Sequence, residues 1–184
     1  RRVLFRSGIN VTSLPGACAC ITALTMSGQP TRRFAFEAFL PYDKKERAQI
    51  LENLRNETRT IIIYEAPHHL KKTLKECREY LGNRNMTVCK ELTKRYEQKR
   101  KSTLDEMIAY YEENEPRGEY VLIFEGKSLQ ELKEEKQQEW NQLTVQEHME
   151  HYLEKGMDKK SAMKQVAKDR GVSKRDVYQE LLKK

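Results

Sequence analysis

Residues 60–81, TIIIYEAPHHLKKTLKECREYL, constrain the fold of this chain more than any other stretch. Ile61, Ile62, Ile63 and Tyr64 form a short apolar run suited to a strand buried on both faces. Pro67 follows closely, where its missing N–H costs nothing if it opens a helix. Leu70, Leu74, Cys77 and Leu81 then recur at spacings of four, three and four, which is one apolar stripe of a helix. Gly82 and Asn83 end it. A buried strand feeding an amphipathic helix requires helices layered on a sheet. Glu65, Pro67, His68 and His69 crowd the junction. Ordinary strand-to-helix punctuation accounts for them, and so does the lip of a ligand cleft, because binding groups gather beyond strand ends in such sheets.

The alternation recurs along the chain. Residues 17–26 read as a helix with Ala17, Ile21 and Leu24 on one face, stopped by Gly28 and Pro30. Its Ala, Cys, Thr and Ser content lets other backbone approach closely. Residues 33–40 (RFAFEAFL) alternate as a strand, and residues 44–54 form a charged helix with Ile50, Leu51 and Leu54 to bury. Residues 86–90 and 119–124 read as strands on either side of a helix at 104–111, and Gly126 ends the series. Helix and strand thus alternate four times, which defines an α/β fold. The turns at 14–16, 65–68 and 91–94 are the places where a cleft could be lined.

The charge balance points to an anionic partner. The chain of 184 residues carries 35 Lys and Arg against 28 Asp and Glu, a net charge of +7. Residues 90–101 (KELTKRYEQKRK) hold six basic and two acidic residues, and Arg32, Arg33, Lys44, Lys45 and Arg47 form a second basic cluster. Tyr42 and Tyr96 offer stacking faces beside them. A solvated surface accounts for such runs equally well. No apolar run approaches the ~20 residues of a membrane span. The leader RRVLFRS is too short and irregular for a targeting sequence. Cys18, Cys20, Cys77 and Cys89 lack zinc spacing and read as buried free thiols of a cytosolic protein, with no metal cluster.

Composition shifts after Gly126. Residues 128–142 read as a charged helical linker, and residues 143–184 as a compact helical unit. There Ala167, Gly171, Val172 and Val177 fall at helix-turn-helix spacing: a small residue at a helix crossing, a glycine turn, then apolar anchors. Ser173 and Asp176 make an S-x-x-D helix start. Lys174, Arg175, Gln179 and Lys183 would lie outside the anchors. A plain helical hairpin satisfies the same pattern.

Five blocks in order, LPGACACITAL, FAFEAFLP, IIIYEAPHHL, KELTKRYE and RGEYVLIFEG, resemble the ribosomal RNA small subunit methyltransferase I family of the tetrapyrrole methylase superfamily. The resemblance covers about residues 8–127, and the helix-turn-helix tail fits it. The family's amino-terminal domain carries a G-D-A-G-x-P-G loop that is not found here. The resemblance therefore implies a carboxy-terminal α/β domain with a mixed sheet and flanking helices, at 8–127, plus a small all-α tail, with residues 1–7 foreign to it. Ala38 stands where the family has glycine, adding a methyl group at a tight spot. His69 stands where the family has arginine.

The resemblance implies S-adenosyl-L-methionine as cofactor and 2′-O-methylation of a cytidine ribose in 16S rRNA of the small ribosomal subunit. It also implies a cytoplasmic homodimer. Cofactor contacts map to Pro15, Gly16, Ala17, Tyr64, Glu65, Ala66 and Pro67, with Leu92 and Gly118 after them. RNA contacts map to Arg32, Arg33, Lys44, Lys45, Lys94, Arg95, Lys99, Arg100, Lys174 and Arg175. The catalytic base is not fixed by the residues: Glu65 and His68 are its candidates, among Glu37, Glu91 and Glu119 at other cleft edges. A nucleic-acid-binding module without catalysis, or a methylase of small tetrapyrroles, are the alternative readings.

Overall fold

The computed structural model describes residues 6–12 and 14–182. Most of the leader RRVLFRS, together with Lys183, lies outside the described residues. The chain forms two compact units that divide between Gly126 and Lys127.

The first unit is a five-stranded mixed sheet. Its elements are α1 (Ala19–Ser27), β1 (Phe34–Phe39), α2 (Lys44–Leu54), β2 (Thr60–Glu65), α3 (Pro67–Leu81), β3 (Asn85–Lys90), β4 (Gln98–Thr103), α4 (Leu104–Glu113) and β5 (Tyr120–Phe124). Strand order is β1-β2-β5-β3-β4, with β1, β2 and β3 running one way and β5 and β4 the other. Alternation along β2 explains its apolar run at 61–63. Ile61 and Ile63 face α2, α3 and α4 in the larger core with Leu51, Leu74, Leu122 and Phe124. Ile62 faces α1 in a smaller core with Cys20, Ala23, Leu24, Cys89 and Ile123. Gly126 has no room for a side chain, since a Cβ would lie 2.2 Å from the Thr58 carbonyl oxygen.

Several expectations need correction. The first helix begins at Ala19, with Ala17 exposed, and buries Cys20, Ala23, Leu24 and Ser27 while Ile21 stays 46% exposed. Cys18 is exposed, so only Cys20, Cys77 and Cys89 are buried thiols. Burial pushes the Cys77 thiol up to about 12 and the Cys89 thiol up to about 11, which keeps both protonated. The basic run at 90–101 hides a strand, β4, which pairs antiparallel with β3 at the end of the sheet. Its QKRKST sequence lacks apolar alternation because an edge strand needs little burial, and lysines there discourage pairing with other chains. Ala38 is exposed; its departure lies in the backbone, where φ is 53° at a bulge between Phe36 and Ala38.

The second unit contains α5 (Leu129–Gln142), α6 (Val145–Glu154), α7 (Lys159–Arg170) and α8 (Lys174–Leu182). Met149, Ala162, Met163, Val166, Ala167 and Val177 form its core. Trp140 of α5 stacks flat on His148 of α6, with centroids 3.9 Å apart. Gly171 ends α7 in the left-handed region at φ 66°, and Ser173 and Asp176 exchange hydrogen bonds at the start of α8. Val172, expected as an anchor, is 44% exposed.

Candidate cofactor wall and basic surface

The carboxyl ends of β1, β2 and β3 meet at one end of the sheet, and the amino end of α1 is held there. Cys18 at the α1 N-cap gives no side-chain cap. Instead the Cys20 N–H donates to the Tyr64 hydroxyl at 2.8 Å, so a side chain from β2 satisfies an orphan donor of the first turn. Phe36 and Phe39 pack edge-on against the Tyr64 ring at 4.9 and 5.6 Å, and are themselves 43% and 61% exposed. The result is an open apolar wall. Pro15, Gly16 and Ala17 lead into α1 beside it, all exposed.

Glu65 sits at the end of β2, 5% exposed. One carboxylate oxygen accepts the Ala66 N–H at 2.8 Å, and the other accepts the Thr73 hydroxyl. Arg47 Nη2 lies 3.9 Å from that second oxygen and also donates to Thr73, while its Nε pairs with Glu76. This buried network fixes the turn at Ala66 and Pro67. Arg47 therefore belongs to the interior, 8% exposed, and not to the surface cluster in which the sequence placed it. The signal was present: Arg47, Leu51 and Leu54 are spaced four and three apart, on the buried stripe of α2. A pocket of about 330 Å³ opens over this network, lined by Phe39, Tyr42, Glu65, His69 and Lys72 among others. His68 is exposed, and its ring centroid is 4.2 Å from that of His69.

Leu92 and Gly118 belong to the same end of the sheet. Leu92 packs partly buried against the α1-side core. Gly118, at φ 84°, lies against the Glu91 side chain, where a Cβ would come within 2.6 Å. The Glu91 carboxylate accepts the Glu119 N–H at 2.8 Å and Lys94 Nζ at 3.2 Å, and these hydrogen bonds hold it below the usual carboxylate range. Glu91 and Glu119 thus both engage Lys94.

The candidate RNA-binding cations are distributed unequally. Arg32, Arg33, Lys44 and Lys45 are exposed on the first unit, as are Lys174 and Arg175 on the second. Arg95 lies over the Tyr96 ring at 5.6 Å. Lys99 and Arg100 project from β4, where Arg100 covers the Tyr110 ring at 3.7 Å beside a cavity of about 490 Å³. That cavity was not anticipated, because it depends on β4 packing beside α4.

A five-stranded mixed sheet with an open wall at one strand end and helices on both faces defines a layered α/β domain. The family model for tetrapyrrole (corrin/porphyrin) methylases matches residues 2–108, and the chain belongs to that family. It is similar to ribosomal RNA small subunit methyltransferase I of Halalkalibacterium halodurans, at 46% identity over 94% of this chain and 59% of the relative. The protein of the same name from Bacillus subtilis is 47% identical over 91% of this chain and 57% of its own length. This chain thus spans about three-fifths of the curated relatives it matches. The fold is also that of the methyltransferase CobJ, with a TM-score of 0.53 at 15% identity, over 68% of this chain and 56% of that one.

Proposed function

We propose that this chain supplies one wall of the cofactor cleft and an RNA-binding surface of an S-adenosyl-L-methionine-dependent methyltransferase. The acceptor is a cytidine ribose 2′-hydroxyl of 16S rRNA in the small ribosomal subunit. The observation that carries this reading is the 46–47% identity, across more than nine-tenths of the chain, to two proteins named for rRNA methylation. The residues at the sheet end fit the cofactor as a partial site. Tyr64, Phe36 and Phe39 give an apolar wall for a flat base, and the exposed backbone at 15–17 supplies polar groups without a charged side chain, while Ala66 and Pro67 shape the turn beside it.

When bound, S-adenosyl-L-methionine supplies an electrophilic methyl group. The chain's own part is to bind and orient. Glu65 positions the turn through Ala66, since both its oxygens are engaged inside the fold. His68, with its exposed ring, is the remaining candidate to hold the ribose proton. The homodimer and the cytoplasmic location belong to the same proposal. Among the described residues, no helix is long and apolar enough to cross a membrane.

Isothermal titration of the whole gene product with S-adenosyl-L-methionine separates an enzyme from a module that only binds nucleic acid. Saturable binding is expected, and its absence would favour the binding module. In the same protein His68→Gln should retain cofactor affinity while lowering kcat by roughly a hundredfold or more, the usual worth of a proton acceptor. A kcat within threefold of the parent would remove His68 from that role.

A further inference from the structure

Several long cationic side chains on the sheet unit are spent internally: Arg47, Arg59, Lys71, Lys75, Arg78 and Lys94 each pair with a carboxylate. Lys90, Lys99, Arg100 and Lys101 make no ion pair among the described residues, yet all four line the cavity of about 490 Å³ between β4 and α4. Register assigns them to different sides of the edge strand. Arg100 pairs with Val88 and faces α4, whereas Lys99 and Lys101 pair with Cys89 and Thr87 and face the α1 side. Among the described residues the strand's outer edge is unpaired, and cations flank it on both faces. Lysines on an edge strand guard against misassembly. That role explains neither the cavity nor the stacking of Arg100 on Tyr110, which fixes its planar fork of donors.

We infer that this cavity is a built phosphodiester site that grips a single-stranded RNA segment. Arg100 is the oriented donor with Lys90 on the same face, while Lys99, and Lys101 with its Nζ beside Gly28, charge the neighbouring phosphates from the α1 side of the strand's edge. The inference rests on the rRNA-methyltransferase reading and deepens it, since it concentrates the grip on one edge of the sheet. Lys94 is left out because Glu91 and Glu119 already hold it. The Lys90 end of the cavity lies at the same end of the sheet as Tyr64, with β4 three strands from β2, about 14 Å at the usual strand spacing. A strand gripped there would run toward the cofactor wall.

The test is fluorescence anisotropy of the chain with a labelled cytidine- and uridine-containing RNA of about 12 nucleotides, across a potassium chloride series. The triple variant K99Q/R100Q/K101Q should lose roughly thirtyfold or more in affinity at low salt, with a salt slope about 2 shallower, as three lost single-strand phosphate contacts require. Tyr110→Leu should weaken binding about fivefold with the slope unchanged, because it frees the Arg100 fork without removing charge. Lys71→Gln, at a cation already paired with Glu115, should stay within twofold of the parent. Circular dichroism melts confirm that each variant is folded. A folded triple variant that binds like the parent overturns the cavity assignment alone, and full affinity in Tyr110→Leu overturns the oriented-donor role by showing diffuse charge attraction. A parent chain that binds no RNA overturns the RNA reading itself. Displacement of the RNA by polyglutamate at equal charge concentration would also overturn the assignment, in favour of an acidic protein partner.

Discussion

At Ala38 the backbone occupies φ 53° in an exposed bulge at the end of β1. A side chain in that region costs about 1–2 kcal/mol, and a glycine there would give back part of the gain through the entropy of the unfolded chain. Ala38→Gly should therefore stabilise the sheet unit by about 1 kcal/mol, read as a higher urea midpoint at unchanged slope. A lower midpoint would show that the methyl group packs against something useful. Residue identity made the departure from the family visible in the sequence, but not its cause, because crowding and backbone strain both favour glycine. Arg47 taught the opposite lesson. Its helical spacing marked it as buried, while its charge marked it as surface, and only the partners Glu65, Thr73 and Glu76 decide between them. Glu65 and Thr73 come from β2 and α3, so no local pattern could have supplied the answer.

Among the elements, α6 carries the most consequential titratable group. His148 is fully buried, stacked on Trp140, with Arg170 Nε donating to its Nδ1 at 3.1 Å and Asp169 Oδ2 lying 3.5 Å from Nε2. His151 and Tyr152 on α6 also face this cluster. Burial, then the Arg170 charge, lower the His148 pKa below its ordinary value, with Asp169 opposing them. A group whose folded pKa is depressed leaves the unfolded chain holding more protons in the window below about 6.5, so stability rises with pH through it. The second unit should melt at lower temperature as pH falls from 7 toward 5, and more steeply than in a His148→Phe variant. Parallel profiles for the two proteins would rule out His148 as the source. The helices themselves were legible, because Ser128, Thr144, Asp158 and Ser173 are strong helix-start residues and Gly171 a strong stop. The stacking of Trp140 on His148 was not, since charged residues dominate α5 and conceal its one large anchor.

For the molecule as a whole, the α/β layering could be read from alternating periods of apolar residues, and the sheet's connectivity could not. Four strands carried apolar runs; β4 carried QKRKST and was hidden within a basic stretch. Strand order also escaped the sequence, because β5 inserts between β2 and β3 through contacts far apart along the chain. The turn from Tyr64 to Pro67 was legible as a strand-to-helix junction because the buried strand must end where proline begins a helix. The long-range bond from Cys20 to Tyr64, which docks α1 there, spans 44 residues and has no local signature. The proposed activity of this fold is methyl transfer from S-adenosyl-L-methionine to small-subunit rRNA. The most direct measurement is transfer of a labelled methyl group by the whole gene product to small ribosomal subunits lacking the modification, followed by mass mapping of the nucleotides. Label on the 2′-oxygen of a cytidine in 16S rRNA is the expected result. Label confined to an added tetrapyrrole acceptor, with none on the subunits, would contradict the account.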